Sequence, residues 1–393
     1  MQTGLNVVAA PDSFKGSLSA LQIARAMADG AHRALGREAS VSAVPMADGG
    51  EGTLDALLDA WHGHEQHLEV TDALGRPRPA RYGLSADGTA AVIEAAEANG
   101  LPHVRDVPLE PLRADSAGVG ELARAALEAG AREILLCIGG SATTDGGTGV
   151  LRALGARLLD GDGRPVAPGG GGLAAVDRIE LDDLHPLARR ARWRIAVDVD
   201  NPLVGDRGAA AVFGPQKGAT PSDVAVLDAG LAHLAARLAD ATGTDEAALL
   251  HTAGMGAAGG LPASLSAVLG AEIVPGSRLV ADAVGLPALL ADADIVLTGE
   301  GSFDAQSLHG KVVDGVRACA PDGAAVVVVA GRVELSAAEV AAAGLAAAVS
   351  IARGPATEDE LRDDAAALVT EASAAVCRLL AHRHDHHVQG STP

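Results

Sequence analysis

EILLCIGGSATTDGG, residues 133–147, running into TGVLRALGARLL, residues 148–159, decides how this chain is read. A short apolar run stops abruptly at Gly, Ser, Thr and Asp, and a helical pattern follows. A run this short and this continuously apolar suits a strand buried on both faces of a parallel sheet. The polar cluster then lies at the carboxyl end of the strand, where it enters a helix whose first amides are free to bind an anion. The glycines permit close approach, Ser141, Thr143 and Thr144 supply hydroxyls, and Asp145 either caps the helix or faces a metal. A plain capped turn is the competing reading.

The same grammar recurs along the chain. LNVVAAPDS leads to LSALQIARAMADGAHRAL, and VSAVPMADGGEG leads to TLDALLDAW; later come WRIAVDVDNP, ADIVLTGEG and AAVVVVAGR. Strands alternating with helices predict an α/β chain with largely parallel sheets and ligands beyond the carboxyl ends of the strands. VTDALGRPRPARYGL, residues 70–84, interrupts the opening pattern, and the buried-strand style resumes near residue 294. The expectation is two domains: a discontinuous first one over 1–70 and 285–385, with an α/β domain inserted over 71–284. GGGG at 169–172 reads as a mobile loop. HRHDHH, residues 382–387, and the end VQGSTP predict a disordered tail over 386–393 with no assigned function.

Composition excludes several classes. The 393 residues are 48% hydrophobic but 2% aromatic, with 49 glycines, so small aliphatic side chains must fill the core. A formal charge of −21 argues against non-specific binding to nucleic acid or to an anionic membrane. Cys137, Cys319 and Cys377 are odd in number and widely spaced, which points to reduced thiols in a cytoplasm. The N-terminal apolar run ends at Pro11, too early for a signal peptide, and the Ala-rich stretch 340–352 is shorter than a membrane span.

The chemistry starts from the lysines. Only Lys15, Lys217 and Lys311 occur, against 27 arginines in a Lys plus Arg total of 30, and each lies beside a glycine, in FKG, QKG and HGK. A compact ammonium next to a backbone without a Cβ suggests contacts with phosphate or carboxylate. The GxxxxGK[ST] phosphate loop is absent; GMGAAG, residues 254–259, matches GxGxxG but follows a helical pattern, so it reads as a Gly-rich turn more readily than as a dinucleotide loop. Three acidic clusters, ADGGEGT at 47–53, VDVDNPLVG at 197–205 and TGEGSFDAQSLHGK at 298–311, stand at strand ends. Carboxylates packed among glycines are expensive without a cation, and Mg²⁺ with phosphate oxygens is the usual partner. Together with the lysines, they point to Mg²⁺-assisted phosphoryl transfer.

APDSFKGSLSA, PMADGGEGT, CIGGSATTDGGTG, DVDNPLVG with GPQKGA, GMGAAGGL and LTGEGSFDAQSLHGK, in this order, resemble the motif series of the type I glycerate kinases, from about residue 7 to residue 330 and more weakly to about 380. The resemblance implies two α/β domains, the discontinuous one Rossmann- or flavodoxin-like. It implies ATP-dependent phosphorylation of D-glycerate, in bacterial members at the 2-hydroxyl, with ATP as co-substrate and a small-molecule partner rather than nucleic acid or membrane. Chemistry distributes the roles: Asp12, Ser13, Lys15, Gly49, Gly50 and Glu51 for the substrate; Gly139, Gly140, Ser141, Thr143, Asp145, Gly254, Gly256, Gly299, Glu300 and Gly301 for the nucleotide. Lys217 and Lys311 would meet phosphates, Asp198 or Asp304 would position Mg²⁺, and Asp48 or Asp198 would accept the hydroxyl proton. A kinase acting at the 3-hydroxyl, a catalytically silent hydroxy-acid binder and a Mg²⁺-dependent phosphatase stay open beside this reading.

Overall fold

NVVA, at Asn6–Ala9, is the hinge of the first sheet: Val7 pairs in parallel with Ile295 on one side and with Val41 on the other. In a computed structural model, which describes residues 4–36, 38–308 and 310–389, five strands form this sheet, in spatial order Ala347–Ser350, Ala325–Ala330, Ile295–Thr298, Asn6–Ala9 and Ser40–Ala43. All neighbours run parallel. Numbered along the chain within the sheet, that order is 5-4-3-1-2, the doubly wound flavodoxin-like arrangement expected for buried β-branched runs joined by helices. The sheet belongs to a compact unit comprising Met1–Asp48, Asp55–Trp61 and Gly276–Pro393.

The first helix, Ala20–Leu35, starts at a capping box: Ser19 Oγ accepts from the amide of Gln22, and Gln22 Oε1 accepts from the amide of Ser19. Ile23, Met27 and Ala31 face the sheet beside Val369, Val376 and Cys377 of the last helix, Ala365–Gln389. At Gly30 the two helices approach so closely that a Cβ would run into the carbonyl oxygen of Thr370. By length and apolar composition Ala365–His382 could cross a membrane, but its buried side is part of this core, and a core helix has the same composition. Of the tail expected over 386–393, residues 390–393 lie outside the described set.

A second compact unit, Gly49–Leu54 with His62–Pro275, carries a mixed six-stranded sheet. Glu272–Val274, Arg192–Ala196, Glu133–Cys137 and Ala90–Glu94 run parallel, and Pro77–Leu84 and His64–Thr71 continue the sheet antiparallel. The Arg-rich stretch 70–84 thus enters a β-hairpin, whose turn is held by Asp72 Oδ1 accepting from the amides of Leu74 and Arg76 at 2.8 and 2.9 Å.

Two local expectations are corrected. TGVLRALGARLL is a helix only over Thr148–Ala153; Gly155 turns the chain at φ +104, and Arg157–Leu159 becomes a strand paired with Arg178–Glu180. The GGGG run is packed: Gly170 and Gly172 are buried in a 3₁₀ turn over Gly170–Ala175, because the backbone needs those positions to be small. A methyl on Gly170 would collide with Leu227 Cδ2 and the carbonyl oxygen of Thr144, whereas one on Gly161 would meet nothing. Gly170→Ala should therefore lower stability by about 1–3 kcal/mol through overpacking, with Gly161→Ala as the neutral control. Equal urea midpoints for the two variants would return the run to the class of loose loops.

Candidate active site

The turn after the first strand is built by the sheet itself. The amide of Ala10 donates to Leu297 O at 2.7 Å and that of Asp12 to Gly299 O at 2.8 Å, so DSFK and GEGS leave neighbouring strands side by side. Thr298 Oγ1 donates to Ala10 O from the same place. Phe14 and Leu18 then exchange backbone bonds across a tight turn in which Gly16 takes φ +76. Gly299 is buried against Val329 O and Met27 and works as a packing glycine, while Gly301 lies against the backbone of Phe14 and Lys15.

These turns enclose a cleft of about 710 Å³ within the first unit. Asp12, Ser13, Lys15 and Asp48 line it, and so do Glu300, Gly301, Asp304 and Lys311. Residues assigned above to substrate and residues assigned to nucleotide thus share one cavity. Asp12 is half-exposed as a residue, but its carboxyl is sunk among protein atoms; burial first, then the Asp48 carboxylate, push its pKa up to about 7, against the lowering pull of the Ser13 amide, which donates to Oδ1 at 2.6 Å. Glu300 is also raised, by burial first, and its Oε1 is buried with no hydrogen-bond partner. Asp304 spends Oδ1 on the amide of Gln306 at 2.8 Å and donates its own amide to Ser307 Oγ, so it starts a 3₁₀ turn over Ala305–Leu308 as well as lining the cleft. Lys311 stands at the start of the helix Val312–Cys319.

In the second unit the loop after Glu133–Cys137 turns inward. Gly139 and Gly140 are exposed, Ser141 is 6% exposed, and Thr143, Thr144 and Asp145 are fully buried. Asp145 Oδ2 accepts from Ser116 N, Ser116 Oγ and Gly149 N, and Oδ1 accepts from Gly147 N. The capped-turn reading of Asp145 describes it: the carboxylate has its donors inside the protein. Lys217, likewise buried, donates from Nζ to Thr143 O at 2.5 Å and to Ser141 Oγ at 3.3 Å. As placed, this lysine holds the loop from within, and its glycines serve the chain: Gly218 has φ +92 and no room for a Cβ beside Leu109, and a Cβ on Gly214 would strike Ala210 O.

GMGAAG packs instead of cradling. Asn201 O accepts from the amides of Gly254 and Gly256, both buried, and a Cβ on Gly256 would hit Pro202 O. Asp198 is exposed, just past the strand Arg192–Ala196. Gly50 lies against Gly139, a Cβ there coming within 3.8 Å of Gly50 Cα; Gly49 is buried and Glu51 exposed. Among the described residues no group of three or more His, Cys, Asp and Glu is disposed to hold a metal ion.

Residues 7–381 match the model of the glycerate kinase family. The chain belongs to the glycerate kinase family. It is 42% identical over 368 residues to a glycerate kinase of Halalkalibacterium halodurans, covering 93% of this chain and 96% of that protein. With a glycerate 2-kinase of Escherichia coli it shares 45% identity over 312 residues, 79% of this chain and 81% of the relative. A crystal structure from Salmonella typhimurium LT2, described as that of a candidate glycerate kinase 2, superposes with a TM-score of 0.88 at 42% identity, covering 97% of this chain and all of that one.

In this family member the cleft has walls that motif reading missed. Ser302 lies inside a quoted motif, but Arg332, Ile351 and Arg362 come from later segments outside the motif series. Lys217 gives the measurable consequence of the second-unit geometry. Burial lowers its pKa to about 8, with Asp145 opposing, whereas the unfolded chain keeps the ordinary value of 10.5. Between these values the unfolded state holds more protons, so the lysine's contribution to stability must rise as pH goes from about 8 to 10.5. The difference in unfolding free energy between wild type and Lys217→Met should change over that window by up to about 3 kcal/mol in favour of wild type. A difference flat with pH would mean the ammonium is not buried.

Proposed function

We propose that this chain transfers the γ-phosphoryl group of ATP to the 2-hydroxyl of D-glycerate, giving 2-phosphoglycerate and ADP. The observation that carries the reading is the cleft in which Asp12, Asp48 and Glu300 stand with Lys15 and Lys311, in a chain of the glycerate kinase family. A hydroxy acid asks for a proton acceptor at its hydroxyl and a cation at its carboxylate. Both are present.

The hydroxyl oxygen forms the new bond to phosphorus while the bond from the γ-phosphorus to the β–γ bridging oxygen breaks, and ADP leaves. Such transfer demands alignment and charge neutralisation more than covalent help. Asp12 takes the hydroxyl proton: an acceptor with its pKa near 7 is about half ionised at neutral pH and still basic enough to hold the proton, and burial first, with Asp48 beside it, makes it so. Lys311 and the free amides at the start of its helix face the transferring phosphoryl. Glu300, with its unpartnered Oε1, and Asp304 supply hard oxygen donors, and one or two carboxylates with phosphate oxygens are what Mg²⁺ usually takes. Those two residues would hold the ion, which when bound adds countercharge for the nucleotide. Asp198, exposed on the second unit, is the alternative to these as base or metal ligand, and Gly139 and Gly140 of that unit are the exposed lip of a nucleotide loop.

Purified protein with ATP, Mg²⁺ and D-glycerate should release ADP and show the 2-phosphate ester in ³¹P NMR; the 3-phosphate ester, or no ester, would overturn the reading. Asp12→Asn should lower kcat by about 10²-fold or more. In wild type, kcat/KM should fall tenfold per pH unit below about 7, because protonation removes the acceptor. A residual Asp12→Asn activity that keeps the same acid limb would assign the proton to another group.

A further inference from the structure

The carboxyl ends of the first sheet change in chemistry from one side to the other. Asp48 follows Ser40–Ala43, Asp12 follows Asn6–Ala9 and Glu300 follows Ile295–Thr298, so three neighbouring strands lead to carboxylates. Ala325–Ala330 leads instead to Gly331, and Ala347–Ser350 to Ile351. All five of these residues line the same cleft. Three strand spacings of about 4.8 Å separate the exit of Asn6–Ala9 from that of Ala347–Ser350, roughly 14 Å in all. That is of the order of the span from the γ-phosphorus of an extended nucleoside triphosphate to its base, and a three-carbon acid cannot cover it. The volume of about 710 Å³ likewise suits a ligand of nucleotide size.

A glycine keeps the way between the two sides open. The amide of Gly331 donates to Glu300 O at 3.3 Å and that of Arg332 to Gly301 O at 3.0 Å, and a Cβ on Gly331 would lie 2.5 Å from Gly301 O. The floor there is bare backbone. Beyond it the lining is aliphatic. Ile351, 3% exposed, belongs to the same hydrophobic cluster as Phe14, and Ala356, Leu361 and Ala365 of the terminal segment line the cleft as well. Ser17 Oγ donates to Arg362 O at 3.2 Å, which holds that segment beside the turn after the first strand. Leu361 is half-buried and Ala356 exposed, so apolar surface is left for a ligand to cover.

We propose that the adenine ring of ATP lies on the aliphatic side of the first-unit cleft, among Ile351, Ala356, Leu361 and Ala365, with the polyphosphate running along the strand ends toward Lys15 and Lys311. This rests on the reading of the chain as a glycerate kinase and names the base site within it. A purine is flat and apolar on both faces, so aliphatic carbon can cover it, while the phosphates need the cations at the other side. The γ-phosphoryl then arrives where Asn6–Ala9 and Ile295–Thr298 part, at the reversal of strand order where such sheets bind their ligands.

Calorimetric titration of ADP with Mg²⁺, and of inorganic tripolyphosphate as a ligand without a base, tests it on wild type, Leu361→Asn, Leu361→Met and Ala356→Asn. Both positions reach solvent, so thermal melts of the variants should match wild type. Leu361→Asn should weaken ADP about tenfold, the loss of a largely covered leucine contact, while tripolyphosphate stays within about threefold of wild type. Ala356→Asn, on a residue outside any helix, should act in the same direction. Leu361→Met keeps the apolar contact and should bind ADP as wild type does. In steady state Leu361→Asn should raise KM for ATP and leave KM for D-glycerate within about threefold. Equal ADP curves for wild type and Leu361→Asn, the result of a base held on the second-unit loop, would overturn the assignment, and so would tripolyphosphate weakened as much as ADP. If ADP binds through Leu361 but no phosphate ester of glycerate forms, the kinase reading fails and the base site stands; if wild type binds no ADP, this proposal falls.

Discussion

The parallel pairing of Asn6–Ala9 with Ile295–Thr298 joins chain segments almost 290 residues apart, and the first-unit cleft depends on it. Val7–Ala9 and Ile295–Leu297 are buried and apolar, and the polar side chains of the two strands, Asn6 and the internally bonded Thr298, stand at their ends. Their polar residues accumulate where the register ends. Ala10 and Asp12 donate backbone bonds to Leu297 and Gly299, which sets the two exits beside each other. Once that register is made, Asp12 and Glu300 must share a cavity, in which burial raises both carboxyls and Glu300 adds to the rise at Asp12. A slip of one residue would reverse the faces of the strand and take Asp12 out of the cavity.

The second unit solves a different problem with the same materials. Its loop after Glu133–Cys137 carries hydroxyls, a carboxylate and amides into a buried place, where unpartnered polar groups would cost about 1–3 kcal/mol each. Asp145 collects four donors, and Lys217 supplies a cation to Thr143 O and Ser141 Oγ. Burying an ammonium is itself unfavourable, which is what its lowered pKa expresses. The outcome is a loop whose exposed part is reduced to Gly139 and Gly140, backbone without side chains, on a rigid foundation. An anion meeting that lip would find amides rather than hydroxyls.

Strand ends marked by Gly and Asp were legible because burial on both faces and turn chemistry are local properties: VVAAPDS, VLTGEG and LLCIGG show them within a few residues. Whether a polar residue faces inward or outward is decided by contacts from far along the chain. Lys217 looked like a charge offered between glycines, but Leu109, Ala210 and Thr143 explain those glycines and bury the amine. The four glycines at 169–172 looked loose, yet Leu227 and Thr144 leave no room at Gly170. Arg362 was invisible for the opposite reason. An arginine on a short, charged helix has no local signature, and only Ser17, some 345 residues earlier, reveals its place.

The cleft of the first unit is costly in isolation. Asp12, Asp48 and Glu300 repel one another in a partly dehydrated cavity, and Lys15 and Lys311 offset only part of that repulsion, since the pKa values of Asp12 and Glu300 remain raised. Protein stability alone would favour replacing such groups with amides or apolar side chains. Their retention makes physical sense if an incoming ligand relieves the strain: a hydroxyl can donate to Asp12, and a cation can settle on the orphaned oxygen of Glu300. Binding then draws on interactions that the folded chain lacks by itself, and the burial and repulsion that disfavour these carboxylates keep Asp12 basic enough to accept a proton at neutral pH.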